Sequence, residues 1–386
     1  MISQFNVIDY LNTIISHART HRISDIHIQH VDSHTVIRIR KDGVLYDYDK
    51  LSHDNALRVI SRIKVLAHMD ITQHRMSQDG TFIYQDSTGE SCDVRVSTFP
   101  TIQGEKAVLR VLDTAFVGSS FEDLGFCHNI STYLRAVCAK NQGCILVVGP
   151  TGSGKTTTLY TLLSHIDPYQ KNIVTLEDPV EYYMPRTTQS SINTDIGFSF
   201  LYGLKSLLRQ DPDVILVGEM RDHETARTAL QASITGHLVM STLHTYDALS
   251  AITRLKDMGI EPYLMTSSIQ AILAQRLVRV LCSSCAYPVR ISDDQKKIIG
   301  TYGTPPDYIY SCKGCCMCQF TGYQGRTVTY ELCVLSDEMK RCITENISHS
   351  DMLNYALNEG MVPLAEHMIC LVASGTISFN DFIAHI

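Results

Sequence analysis

The run Gly149-Pro150-Thr151-Gly152-Ser153-Gly154-Lys155-Thr156 constrains this chain more than any other segment. It sits between an apolar stretch at 144–148 and a stretch that continues as a helix, which is the setting a phosphate-binding loop requires. Its glycines let successive backbone N–H groups curl around phosphate oxygens, and the helix that opens near Lys155 adds its positive dipole end. In such a loop Lys155 reaches the β and γ phosphates and Thr156 ligates Mg²⁺. The cofactor-binding set read from the loop is Gly149, Pro150, Thr151, Gly152, Ser153, Gly154, Lys155, Thr156 and the following Thr157. ATP and Mg²⁺ are the ligands this implies.

Around that loop the chain alternates apolar strands with helices, a pattern that favours a parallel sheet and an α/β fold. Strands are expected at 144–148, 173–176, 214–217 and 238–242. Each ends beside a residue able to do chemistry. Open α/β sheets bind ligands in the crevice beyond the carboxyl ends of their strands.

The chain of 386 residues is too long for one ordinary core. Residues 1–112 read as a small α+β domain, with a helix over 8–20, a strand over 35–40, a hairpin turn at Asp42-Gly43 and a helix over 54–68. Two further strands carry Arg95 and Arg110, separated by a turn over 100–104. Residues 113–123 read as a linker, 124–280 as the nucleotide-binding core and 281–333 as a cysteine-rich region. Residues 334–386 form a helical tail whose clearest stretches are 354–358 and 363–373.

Several motifs surround the phosphate loop. Asp211-Pro-Asp-Val-Ile-Leu-Val-Gly-Glu219 is an apolar strand ending in an acid, which can hold the Mg²⁺ shell or orient water. Ile173-Val-Thr-Leu-Glu177-Asp178-Pro-Val-Glu181 sets three carboxylates just after another strand, suited to activating water or completing metal coordination, though a solvated acidic turn looks the same in sequence. His237 and His244 lie at opposite ends of the expected strand over 238–242; they are candidates for sensing phosphate charge, against the commoner structural use of a histidine. Arg95 and Arg110 either face solvent or neutralise charge on a phosphoryl group in transfer.

Composition decides how the cysteines are read. A formal net charge of −7 argues against non-specific attraction to a polyanion, so nucleic acid is not the expected partner. No window approaches 18 uninterrupted apolar residues, and the N-terminus lacks the basic start, apolar run and cleavage site of a secretory signal. The expected location is therefore the cytoplasm, where thiols stay reduced. Of the thirteen cysteines, the clustered ones therefore read as metal ligands before disulfides. Cys282-x-x-Cys285 and Cys315-x-x-Cys318 suggest a structural tetrathiolate zinc site, although 286–314 is longer than the usual spacer of roughly 15 to 20 residues. Cys312 also forms a CxxC with Cys315, and Cys316 lies inside the second pair, so spacing alone leaves the ligand register open.

With these motifs in place, the sequence resembles the secretion-motor ATPase superfamily of type II secretion and type IV pilus assembly over nearly its whole length. In the first domain the resemblance rests on Ser24-Asp-Ile-His-Ile28, Arg40-Lys-Asp-Gly43, Gln78-Asp-Gly80, Val94-Arg-Val-Ser-Thr-Phe-Pro100 and Gly104-Glu-Lys-Ala-Val-Leu-Arg110. In the second it rests on the phosphate loop, Leu176-Glu-Asp-Pro-Val-Glu-Tyr182, Leu208-Arg-Gln-Asp-Pro-Asp-Val214, Gly218-Glu-Met-Arg-Asp222 and Thr235-Gly-His-Leu-Val-Met-Ser-Thr-Leu-His-Thr245.

The resemblance implies a PAS-like α+β domain followed by a RecA-like P-loop ATPase domain with a mainly parallel sheet. It implies a cytoplasmic homohexamer with nucleotide between the two domains, peripheral to the membrane and acting on an inner-membrane platform protein. It makes Glu177 the catalytic acid of the acidic box, Glu219 the second-motif acid, His237 and His244 the histidine-box residues, and Arg95 and Arg110 arginines that reach nucleotide. Gly314-Cys-Cys-Met-Cys-Gln-Phe-Thr-Gly-Tyr-Gln-Gly-Arg326 with Tyr330-Glu-Leu332 resembles the metal loop of assembly and export motors, which retraction motors generally lack. That pattern selects Cys282, Cys285, Cys315 and Cys318 as zinc ligands. The expected function is powering a type IV pilus, competence pilus or type II secretion pseudopilus; pilus retraction and DNA translocation in conjugation are the alternatives. Departures from the pattern are Lys205 where arginine is usual, Tyr246 where asparagine is usual, and a start almost at the first domain, which implies that the extra N-terminal docking domain of many members is missing.

Overall fold

The computed structural model describes residues 5–86, 89, 91–111 and 120–386. By contacts the chain divides into two compact units, residues 1–116 and 117–386. Residues 113–119 of the expected linker lie outside the described residues. Phe121–Leu124, at its far end, is a one-turn helix capped by Ser120, with Phe121 fully buried.

The first unit is built on an antiparallel sheet of β1 (Ile23–Val31), β2 (His34–Lys41), β3 (Val44–Leu51), β4 (Gln78–Gln85), β5 (Ser91–Thr101) and β6 (Gly104–Val111), in the order β3-β2-β1-β6-β5-β4. The β2–β3 hairpin turns where expected, at Asp42 and Gly43, both with positive φ (49° and 86°), the backbone that a tight two-residue hairpin needs. Helices Val7–Thr20 and His53–Leu66 start at the side-chain caps Asn6 and Ser52. They bury Leu11, Ile14, Ile15, Val59, Ile60 and Ile63 in one core with Ile26, Ile28, Ile37, Val94, Val96 and Leu109 of the sheet. Lys64 is buried with them because its Nζ lies 2.7 Å from Glu105 and donates to the Gln73 carbonyl at 2.7 Å; an unpaired ammonium there would be far too costly.

The second unit carries β7 (Gly143–Val148), β8 (Ile173–Glu177), β9 (Thr188–Ser191), β10 (Val214–Val217), β11 (Leu238–Leu243), β12 (Ile269–Leu281), β13 (Ala286–Arg290), β14 (Tyr308–Cys312) and β15 (Tyr323–Val334). Its main sheet runs β15-β12-β7-β11-β10-β8-β9. All neighbours pair in parallel except β12 and β15, which are antiparallel. The strands expected at 144–148, 173–176, 214–217 and 238–242 form its centre. Both faces are covered, and Leu146, Val148, Leu176, Ile215, Val217, Val239, Leu243 and Ile272 lie in one core, each contributing about 1.5–3 kcal/mol by burial. Helices Lys155–Ser164, His223–Ile234 and Ala248–Asp257 follow β7, β10 and β11, the last two capped by Asp222 and Asp247.

β13 and β14 form a separate two-stranded sheet beside the cysteines. Helices Asp337–Thr344, His349–Asn358, Leu364–Ala373 and Phe379–Ile383 make the tail. Buried Glu331 of β15 fastens part of it: one carboxylate oxygen accepts from the Ala248 N–H at 3.0 Å and the other from the Leu364 N–H at 3.2 Å, at the first turns of two helices. Among the described residues, no helix is long and apolar enough to cross a membrane.

Candidate active site

The phosphate loop leaves the end of β7 and enters the helix Lys155–Ser164. Gly149 has φ 152°, and a Cβ there would lie 2.5 Å from the Gln275 carbonyl oxygen and 2.6 Å from Ser153 Oγ, so only glycine fits. Gly154 caps the helix at φ 87°. Lys155 Nζ donates to the Gly149 and Pro150 carbonyls, both at 2.9 Å. Burial lowers its pKa and the nearby Glu219 charge opposes that. Thr151, Gly152 and Thr156 are exposed at the mouth.

Gln275, on the neighbouring β12, steadies the loop from behind. Its Nε2 donates to the Ser153 carbonyl at 2.8 Å, and its Oε1 accepts from Thr158 Oγ1 at 2.9 Å. Sequence reading missed Gln275, since nothing in 269–281 marks which glutamine backs the loop. The donor set fits a triphosphate with its cation: backbone N–H groups, one ammonium, an exposed threonine hydroxyl at a helix start and acidic residues at the carboxyl ends of other strands of the same sheet.

Glu177 ends β8 and is 4% exposed. Tyr160 OH makes a very short hydrogen bond to its Oε2, while Thr175 Oγ1 donates to Oε1 at 2.6 Å and Gln189 Nε2 at 3.4 Å. Burial raises the Glu177 pKa and these three donors pull against it. A carboxylate held above its usual range is closer in pKa to what a base needs near neutral pH.

Glu219 follows β10 and lies between Arg221 and His244. Arg221 pairs closely with Oε1, and His244 Nε2 lies 3.4 Å from Oε2. Arg221 also approaches Asp178 at 3.8 Å, so the ends of β8, β10 and β11 are joined by one polar chain. Arg221 was not singled out in the sequence, although it lies two residues past Glu219. The two histidines separate. His237 stands at the amino end of β11, its Nδ1 2.9 Å from the Ala232 carbonyl and its own carbonyl accepting from Gly143 N–H at the start of β7. The length of β11 places it on the order of 20 Å from His244, so within this unit only His244 reaches the phosphate-loop edge. Tyr246 is exposed, and Arg276 donates to its carbonyl; Lys205 lies on the helix Phe200–Leu207.

In the first unit Arg95 and Arg110 are direct cross-strand partners on β5 and β6, and Asp25 of β1 is opposite Arg110. Arg110 Nε lies 3.0 Å from Asp25 Oδ1, and Arg40 Nε lies 3.6 Å from Oδ2. The register therefore brings three guanidinium-bearing residues and one carboxylate into one row.

The four cysteines converge. Sγ separations are 3.8 Å for Cys282 and Cys315, 3.9 Å for Cys285 and Cys318, and 3.7 Å for Cys315 and Cys318, and all four lie within 4.8 Å of one another. Tetrahedral thiolates at the usual Zn–S length of about 2.3 Å are about 3.8 Å apart, so the set fits a metal ion of that size. Cys318 Sγ accepts from the Cys315 and Gly322 N–H groups at 3.1 and 3.2 Å. Although burial acts against its thiolate, these bonds bring its pKa down to about 6. Cys312 and Cys316 stand outside the group.

A family described as type II/IV secretion system protein matches residues 3–384. The chain is similar to type II secretion system protein E of Pseudomonas aeruginosa, with 43% identity over 354 residues, covering 92% of this chain and 70% of that protein. It is 43% identical to type II secretion system ATPase E of Vibrio cholerae, covering 87% of this chain and 67% of that one. Its fold is similar to the solved structure of the pilus retraction motor PilT with bound ADP, at TM-score 0.66 and 25% identity, covering 97% of this chain and 96% of that chain.

Proposed function

The chain belongs to the type II/IV secretion system protein family and is an ATPase within it, and from that premise we propose that it powers the addition of pilin-like subunits to a fibre by hydrolysing ATP at the carboxyl edge of the second unit's sheet. The observation that carries this reading is the joint placement of the phosphate loop, Glu177 and Glu219 at the carboxyl ends of parallel strands of one sheet. Lys155 holds the β and γ phosphates, and Thr156 with Glu219 holds the Mg²⁺ shell. Bound Mg²⁺ supplies charge neutralisation at the phosphates. Glu177 takes the proton from the attacking water. Arg221 and His244 hold the Glu219 carboxylate in place.

Arg95 and Arg110 supply further positive charge to the transferred phosphoryl group, in a homohexamer that works on an inner-membrane platform protein from the cytoplasmic face. Zinc at Cys282, Cys285, Cys315 and Cys318 holds the cysteine region together. That cluster, with the type II secretion relatives, favours export or extension over retraction. Deleting the gene in its host is expected to abolish protein release or fibre growth, measured as secreted protein and surface fibres. A deletion strain that gains surface fibres would contradict this reading and assign the chain to retraction.

A further inference from the structure

Tyr160 lies four residues after Thr156 on the helix Lys155–Ser164, one turn further along the same side. Its ring is buried and meets Tyr182 edge-on at 5.6 Å. Its hydroxyl donates to Glu177 Oε2 and accepts from the Glu181 N–H at 3.2 Å. The opposite carboxylate oxygen is taken by Thr175 and Gln189. Each atom of the Glu177 carboxylate therefore has a donor, and one donor is borne by the helix that starts at the phosphate-binding residues.

We propose that Tyr160 is a positioning residue for hydrolysis: it fixes the Glu177 carboxylate in its ionised form and ties the orientation of that base to the phosphate-loop helix. The proposal rests on Glu177 being the base. It adds a group that the loop, acidic and histidine motifs do not contain.

A donor to the ionised form favours that form, while burial and the neighbouring Glu181 charge disfavour it. The groups facing Glu177 are Tyr160 from the phosphate-loop helix, Thr175 from its own strand, Gln189 from β9 and Glu181 from the segment after β8. Of these, Glu181 is charged, Tyr160 is titratable, and Thr175 and Gln189 stay neutral. Burial, then the hydrogen bond and charge of Glu177, keep the Tyr160 phenol protonated well above its ordinary range, so it remains a donor. One helix carries both the phosphate-binding Thr156 and Tyr160. A shift of the phosphate-loop helix changes the grip on Glu177 without any loop rearranging.

Tyr160→Phe keeps the ring and removes the hydroxyl. The test is the single-turnover rate of the full-length protein at saturating MgATP from about pH 5.5 to 9, together with nucleotide affinity and thermal melting. Without one donor the Glu177 pKa rises, so the acid limb of the rate profile is expected to move up by about one pH unit. Nucleotide affinity is expected to stay within about twofold, and the rate to recover toward the wild-type value at alkaline pH. A rate lowered by one constant factor at every pH, or an unmoved acid limb, would overturn the proposal. Failure of the underlying reading is distinguishable, because Glu177→Gln would then turn over at the wild-type rate whatever Tyr160→Phe does.

Discussion

Lys155→Ala is expected to lose ATP turnover by at least about 100-fold, the scale on which removing one preorganised donor to developing charge acts. The expectation follows from where the ammonium already is. Lys155 Nζ lies 2.9 Å from the carbonyls of Gly149 and Pro150, within the loop whose N–H groups cradle phosphate. Its partial burial removes competing water, so its charge acts at lower dielectric than a surface lysine would. Alanine keeps the helix and deletes the charge. Phosphate release by the purified protein reads the outcome, and an undiminished rate would show that hydrolysis does not pass through this loop.

The second large effect concerns the cysteine cluster. Cys318→Ser, or exhaustive chelation, is expected to remove stoichiometric zinc and to lower the melting temperature by on the order of 10 °C. Cys282 closes the end of β12, Cys285 precedes β13, and Cys315 and Cys318 flank the short turn before β15. The four sulfurs lie within 4.8 Å of one another although Cys285 and Cys315 are far apart in sequence, so a metal held there would tie those segments together. Zinc content by atomic absorption and a thermal melt measure both effects. Protein that purifies without metal, and melts alike before and after chelation, would remove the zinc assignment.

Those two features were also the most legible in the sequence, and for a physical reason. A phosphate loop and a tetrathiolate site demand particular residue types at short spacing, so chemistry is written locally. The four central strands were legible because parallel strands buried on both faces read as uninterrupted apolar runs bounded by turns. Strand β12 was not, since IQAILAQRLVRVL has neither alternation nor a turn signal inside it and its partner β15 lies far along the chain. β9 is polar and short, and pairing with β8 is what makes it a strand.

The supporting residues of the site show the same division. Glu177 and Glu219 follow apolar strands and so announce themselves. Gln275 and Gln189 act through tertiary contacts that no local pattern encodes, whereas Arg221 reaches Glu219 from two residues along the chain. Tyr160 had a usable signal, its four-residue offset from Thr156 on a helix, which puts it on the side of the phosphate-binding turn. The histidines illustrate the converse case. Their spacing already put one at each end of β11, and the parallel pairing of β11 with β7 decides which end meets the loop.

Glu177, held at the carboxyl end of β8, is proposed to perform the base step on nucleotide bound at the phosphate loop. The most direct measurement is MgATP affinity and single-turnover hydrolysis of Glu177→Gln beside the wild type. The account predicts affinity within about threefold and hydrolysis slowed by about 100-fold or more, the scale of losing a positioned general base. Hydrolysis by Glu177→Gln at the wild-type rate would contradict it.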